Sequence, residues 1–287
     1  MEDLRNMLRE MFKTEPTSDE PITYCRFCEK PLYERQRYKK VDGQWIPWLK
    51  PFVEYCDCED AVRARREMDN KRILEEARKE EIQRILANSG LPKGYWDKTF
   101  DKWDMRYNKI VYEAILNYVR VWPHVLKGGK GLYIYGPYGT GKTHLVAAIT
   151  IYIINKYLAR VVFGTLTKLF TPLKDAIGLG DSYLLQRERE RLYKADLLII
   201  DDLGKERPTD FVSEELYTLI NTRYENKKPV VITSNYTLDE FAKKYNKWSK
   251  DYGFKDLGSA MKSRFREMCY YIKMDGPDYR AIKGPRD

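Results

Sequence analysis

The chain has 287 residues, of which 43% are apolar, with 52 Lys/Arg against 43 Asp/Glu and a net charge of +9. That is enough for one large domain or for a small domain and a medium one, each with its own core. No apolar run approaches the roughly 18 residues that span a bilayer, and the Met1 end, with Glu2, Asp3 and no apolar stretch, does not read as a secretory signal, so a cytoplasmic protein is expected.

The charge is uneven. Residues 1–60 hold 10 basic and 13 acidic residues, whereas 61–287 hold 42 and 30, so a polyanionic partner suits the second part. Along the chain, residues 1–12 place Leu4, Met7, Leu8, Met11 and Phe12 on one helical face, either to dock on a partner or to pack on the segment that follows. Residues 14–21 (TEPTSDEP) read as a linker or turn. Next come Cys25-x2-Cys28 and, 27 residues on, Cys56-x-Cys58. With no disulfide framework and a reducing compartment expected, two close thiol pairs read as the four ligands of a structural zinc ion. Ordinary reduced cysteines and an iron–sulfur cluster are the alternatives. Residues 61–88 are charged, free of Gly and Pro, and carry a thin apolar stripe, as a solvated connecting helix does. Ser89-Gly90-Leu91-Pro92 ends it.

From about residue 91 the pattern alternates. An amphipathic helix is predicted over 109–126. Apolar strands follow at Leu132–Tyr135, Val161–Thr165, Leu197–Ile200 and Val230–Thr233, with helices near 142–158, 167–177, 183–194, 211–226 and 237–245. This is an α/β domain with a parallel sheet covered on both faces. The predicted division is a cysteine module over 1–60, a helical linker over 61–90 and an α/β domain over 91–287.

Gly136-Pro-Tyr-Gly139-Thr140-Gly141-Lys142-Thr143 fits the phosphate-binding loop G-x4-G-K-[ST], between a strand and an apolar helix as the motif requires. Its glycines let backbone N–H groups face a β-phosphate and the helix N-terminus adds its dipole. Lys142 would reach the β- and γ-phosphates, and Thr143 would ligate Mg2+. Fifty-nine residues after Lys142, the apolar strand Leu197–Ile200 ends in Asp201-Asp202. In this context Asp201 would hold the Mg2+ and Asp202 would orient or deprotonate an attacking water. Asn235, after the next strand, is either a γ-phosphate or water contact or a turn cap.

Together these residues resemble an AAA+ ATPase, and more narrowly the bacterial replicative-helicase loaders of the DnaC/DnaI type, which share a clade with the IstB transposition ATPases. The similar stretches are SGLPKGYWDKTF (89–100), GPYGTGKTHL (136–145), LLIIDDLG (197–204), LYTLINTRYENKKPVVITSN (216–235), SRF (263–265) and GPDYR (276–280). A cysteine-rich zinc module joined by a charged helix is similar to the DnaI arrangement; IstB-type proteins generally lack it. The resemblance implies ATP, Mg2+ and Zn2+ as cofactors. It implies nucleotide contacts at Gly136, Gly139, Thr140, Gly141, Lys142, Thr143, His144 and Arg280, and Arg264 as an arginine finger reaching a neighbouring subunit's γ-phosphate. It further implies no C-terminal helical lid, weak hydrolysis by the monomer, and as partners a hexameric helicase, single-stranded DNA and further copies of the chain. A transposition helper, a nucleic-acid-binding adaptor with a vestigial ATPase, and a small-molecule kinase are the rival readings.

Residues 241–266 depart from the family by their length and carry 8 Lys/Arg, 2 Asp and the rings of Tyr245, Trp248, Tyr252, Phe254 and Phe265. Basic residues interleaved with aromatics suit single-stranded nucleic acid; rings buried in the core are the alternative. The helix around 167–176, with Lys168 and Lys174, is a second candidate for DNA.

Overall fold

The computed structural model describes residues 11–251, 256–279 and 281. Leu4, Met7, Leu8, Arg280, Tyr252 and Phe254 therefore lie outside the described residues, as does the side chain of Trp248. The chain divides into two compact units, 1–78 and 79–287. No described helix is long and apolar enough to cross a membrane.

The first unit is mostly antiparallel β-structure. Strand β1 (Phe12–Pro16) pairs with β4 (Glu34–Val41), which also pairs with β5 (Gln44–Pro47) and β6 (Phe52–Val53). A two-residue ladder joins β2 (Thr23–Tyr24) to β3 (Pro31–Leu32). The expectation of a helix through Phe12 and a linker from Thr14 is corrected here. Phe12, Thr14, Glu15 and Pro16 are in a strand, and the Phe12 ring lies 5.0 Å from that of Trp48. Cross-strand pairing to β4 outweighs the local helical spacing, as tertiary context often does. Helix α1 (Glu59–Asn88) leaves this unit. Its first turn buries Ala61 against the cysteines, its middle exposes Met68, Ile73 and Leu74, and its last turns pack Ile82, Ile85 and Leu86 on the core of the second unit.

The second unit is built on five parallel strands: β7 (Gly131–Tyr135), β8 (Val161–Gly164), β9 (Leu197–Leu203), β10 (Val230–Ser234) and β11 (Cys269–Lys273), in the order β11-β7-β10-β9-β8. The inner strands are continuous apolar runs because both faces are covered. On one face lie α2 (Lys109–Arg120), α3 (Trp122–Gly128) and α4 (Lys142–Tyr157); the predicted helix 109–126 is thus two helices, broken at Val121 where Pro123 opens the second. On the other face are α5 (Leu166–Gly178), α6 (Ser182–Lys194), α7 (Asp210–Glu225), α8 (Leu238–Asp251) and α9 (Leu257–Met268). Arg223, wholly buried, ties three of these elements together by donating to the carbonyls of Leu192, Tyr193 and Pro229; burial lowers its pKa to about 9. Sequence reading missed β11 and α9. Both follow the segment around 252–255, and β11 exposes Tyr270, Tyr271 and Lys273, so it presents no continuous apolar run.

Of the five aromatic residues proposed to stack bases, the two whose side chains are described, Tyr245 and Phe265, are core residues instead. Tyr245 and Phe265 are fully buried, packed with Phe241, and the Tyr245 hydroxyl donates to Glu206 at 2.6 Å. Lys244 is bonded to the carbonyls of Gly204 and Glu206. Phe241 and Tyr245, four residues apart on α8, have the spacing of a buried helical face.

Candidate nucleotide site and thiol cluster

The carboxyl ends of β7, β9 and β10 converge on one cavity of about 640 Å³. Binding at this edge is general for open parallel sheets. The loop from Gly136 to Gly141 turns from β7 into α4. Gly141 has φ +92° and a side chain there would run into the Trp103 ring; Gly136 has φ +152° and closely approaches the Met274 carbonyl. Neither site accepts another residue without strain. Thr140 is buried and donates to the Pro137 carbonyl at 3.0 Å. Lys142 is also buried, its Nζ donating to the carbonyls of Gly136 at 2.8 Å and Pro137 at 2.7 Å.

Thr143 Oγ1 lies 3.2 Å from both carboxylate oxygens of Asp201, so the two expected magnesium ligands adjoin. Burial first, and the neighbouring Asp202 charge after it, raise the Asp201 pKa, against a hydrogen bond from Thr233 Oγ1 at 2.6 Å that lowers it. The β9–β10 register slips here, so that Asp201 and Asp202 together face Thr233. Such a bulge re-aims the side chains it carries. Asp202 takes φ +60°, and its N–H donates to Thr233 Oγ1 at 2.8 Å while its carboxylate pairs with Lys205 at 2.7 Å. One hydroxyl thus sets both acids. Thr233 was missed because an apolar strand pattern does not reveal a bulge.

Asn235 borders the same cavity, and both polar atoms of its amide are buried with no hydrogen-bond partner among the described residues. A buried amide of this kind calls for a ligand or water, so the site fits a bound triphosphate. His144 also lines the cavity, but its Nε2 is 3.2 Å from the Thr99 carbonyl and its ring meets Trp103 at 5.3 Å. The segment ahead of α2 thereby lines the pocket with Tyr95 and Trp103, alongside Tyr138 and Tyr279. Its run of aromatic residues was the available signal. Arg264 is not brought to this cavity. It sits on α9, half-buried, with Nε 3.2 Å from Asn221 Oδ1 and its guanidinium 4.6 Å from the Tyr224 ring centre.

In the first unit the sulfurs of Cys25, Cys28, Cys56 and Cys58 all lie within 4.8 Å of one another. The Cys28–Cys56 and Cys25–Cys58 separations are 3.4 Å and 3.8 Å. Four sulfurs about 2.3 Å from a central zinc would be about 3.8 Å apart, so the donor set and its size fit. The N–H groups of Phe27 and Cys28 point at the Cys25 sulfur and lower its pKa to about 6, whereas the Cys56 thiol pushes Cys28 up to about 12 and burial raises Cys58.

Residues 62–284 match the family described as IstB-like ATP binding protein. The phage-like element PBSX protein XkdC of Bacillus subtilis is 30% identical over 179 residues, 60% of this chain and 60% of that protein, so the chain spans less than two thirds of that relative. The putative ATP-binding protein Rv3427c in insertion sequence, of Mycobacterium tuberculosis, is 29% identical over 189 residues, 65% of this chain and 70% of its own. The crystal structure of the DnaC helicase loader is similar with a TM-score of 0.52 and 28% identity, over 64% of this chain and 100% of that one.

Proposed function

Since the chain belongs to the family of IstB-like ATP-binding proteins, we propose that it is an AAA+ ATPase that loads a hexameric replicative DNA helicase onto single-stranded DNA. Its relatives divide between a helicase loader and an insertion-sequence ATPase. The observation that favours the loader is the four-thiol cluster ahead of the ATPase unit, the arrangement that the loader resemblance calls for. On this reading residues 1–60 hold the helicase, 61–90 connect, and 91–287 bind and hydrolyse ATP. The four cysteines hold zinc, which fixes the small module.

Lys142 and the loop N–H groups hold the β- and γ-phosphates of ATP, and Gly136, Gly139, Thr140, Gly141 and His144 shape that cradle. Thr143 and Asp201 hold magnesium, whose charge offsets that developing on the phosphates. Asp202 takes the proton of the attacking water once Lys205 yields its carboxylate, and Asn235 orients that water or the γ-phosphate. Arg264 and Arg280 serve nucleotide sensing, Arg264 from a neighbouring copy, because it lies away from its own cavity. ATP then acts as a switch between states of different affinity for helicase and DNA.

The test is native mass spectrometry of the chain with the replicative helicase of the same source, with and without ATP. A complex of defined stoichiometry that responds to ATP is expected. No complex in either state, with metal content and ATP binding intact, would overturn the loader reading. The insertion-sequence relative supports a second reading, a transposition helper, for which binding to duplex DNA and a transposase would be the positive result.

A further inference from the structure

The first unit carries four aromatic rings on its main sheet and a fifth, Trp48, just past the end of β5, and buries none of them: Phe12, Tyr38, Trp45, Trp48 and Phe52 are all half-buried or exposed. Cross-strand register sorts them onto two faces. Opposed residues share a face, so Phe12, Lys39 and Ile46 form one row across β1, β4 and β5. Arg37 and Arg35 follow two and four residues along β4, and Phe52 stands opposite Arg35. Trp48 joins this face through its contact with Phe12 at 5.0 Å, and the Arg37 guanidinium lies 4.7 Å from the Phe52 ring centre.

The result is a surface on which a row of three cations on β4 is flanked by three rings. Arg35 is paired with Glu54. Arg37 and Lys39 have no carboxylate partner among the described residues, and Trp48 is 47% exposed. On the opposite face Lys13 is bonded to Glu15 and lies over the Tyr38 and Trp45 rings, and Lys40 lies over the Trp45 ring. Unpaired cations that track phosphates, set between rings that stack on bases, are what binding of a single strand without sequence preference requires.

We propose that this face of the cysteine module, with Phe12, Trp48 and Phe52 as stacking groups and Arg37 and Lys39 as phosphate contacts, binds single-stranded nucleic acid. It is a contact separate from any made by the ATPase unit, and it does not depend on ATP turnover.

The experiment is photocrosslinking of the full chain to iodouracil-substituted 20-mers, one of deoxythymidine and one of uridine, with adducts mapped by mass spectrometry. Adducts are expected at Trp48, Phe12 or Phe52 without ATP. Preference for one of the two oligomers identifies the strand as DNA or RNA. Trp48→Ala should remove its adduct and weaken binding at least about five-fold, the lower end for one stacked base. Replacing Arg37 and Lys39 together by Ala should reduce the slope of log K against log salt by about 1.4. Each variant must retain the parent's metal content, which excludes loss of the module as the cause. Adducts confined to residues 79–287, or an unchanged salt slope, would overturn the proposal. So would adducts that form only after residues 1–10 are removed, since that would make this face the seat of the chain's own N-terminus.

Discussion

In the ATPase unit the chemistry hangs from a frame that stands without it. The sheet is closed on one face by Ile, Leu, Val and Trp side chains of α2, α3 and α4, and on the other by those of α5 to α9. Lys142, Asp201 and Asn235 project from strand ends and a loop at its rim. In the cysteine module the buried positions are the chemistry: Cys25 and Cys56, with Ala61 beside them, make its only apolar core among the described residues. A segment of this size cannot remove enough apolar surface from water to offset the loss of chain entropy. The second unit is therefore expected to keep its fold when its site residues are changed, whereas the module is expected to lose its fold with its thiol cluster.

The widest separation between the two should come from metal removal. Structural zinc contributes apparent binding energies of about 10–16 kcal/mol in small zinc-dependent folds. Chelation, or Cys56→Ser, is expected to release the β4 amides to rapid hydrogen exchange, while amides of β7, β9 and β10 keep their protection. Mass spectrometry of exchanged peptides checks this. Persistent protection of β4 in metal-free protein would show that the module has a core of another kind.

The converse change is made at Lys142. Lys142→Ala removes the cation expected at the β- and γ-phosphates and should lower ATP turnover by about 10²-fold or more, the usual cost of deleting one aimed electrostatic group. Its Nζ donates to two carbonyls of its own loop, those of Gly136 and Pro137, and the thermal transition of the second unit should move little. Steady-state turnover and calorimetry on the same preparation check both halves. Turnover within about three-fold of the parent would remove this cavity from the reaction.

This contrast also explains what could be read in advance. Strands β7 to β10 were legible because a strand buried on both faces is a continuous apolar run, and the phosphate loop because its glycines are backbone requirements. The cysteine spacing anticipated the four-sulfur cluster. The six short strands of the module were not legible, because a sheet with both faces exposed has no apolar alternation to display. Nor was the function of α8. A helix with Lys243, Lys244 and Lys247 around Tyr245 reads as a basic, aromatic surface until the fold buries Tyr245 against Glu206 and Phe241. The roles of Thr233 and Trp103 depend on a register slip and on a loop folding back, neither of which is local in sequence.

The smallest effect, and the one that divides fold from function most finely, is expected at Asp201. Burial is the main cause of its raised pKa. The native state thus holds the Asp201 proton more tightly than the unfolded chain does. This group's contribution is fully present below the unfolded pKa and is lost as pH rises through the folded one, so at neutral pH its charge is a cost to the fold. Asp201→Asn keeps an oxygen to accept from Thr233 Oγ1 and removes the charge. The variant should unfold at a higher temperature than the parent near pH 8, by a few degrees. The gap should close below the ordinary carboxylate range, where the parent's group is neutral in both states. Turnover should fall with the loss of the metal ligand, and the cysteine module's exchange pattern should not change. Scanning calorimetry at pH 8 and at about pH 2.5, below the unperturbed Asp pKa of about 3.9, decides it. An Asn variant no more stable than the parent at pH 8 would mean that the hydrogen bonds from Thr143 and Thr233, rather than burial, govern this carboxylate.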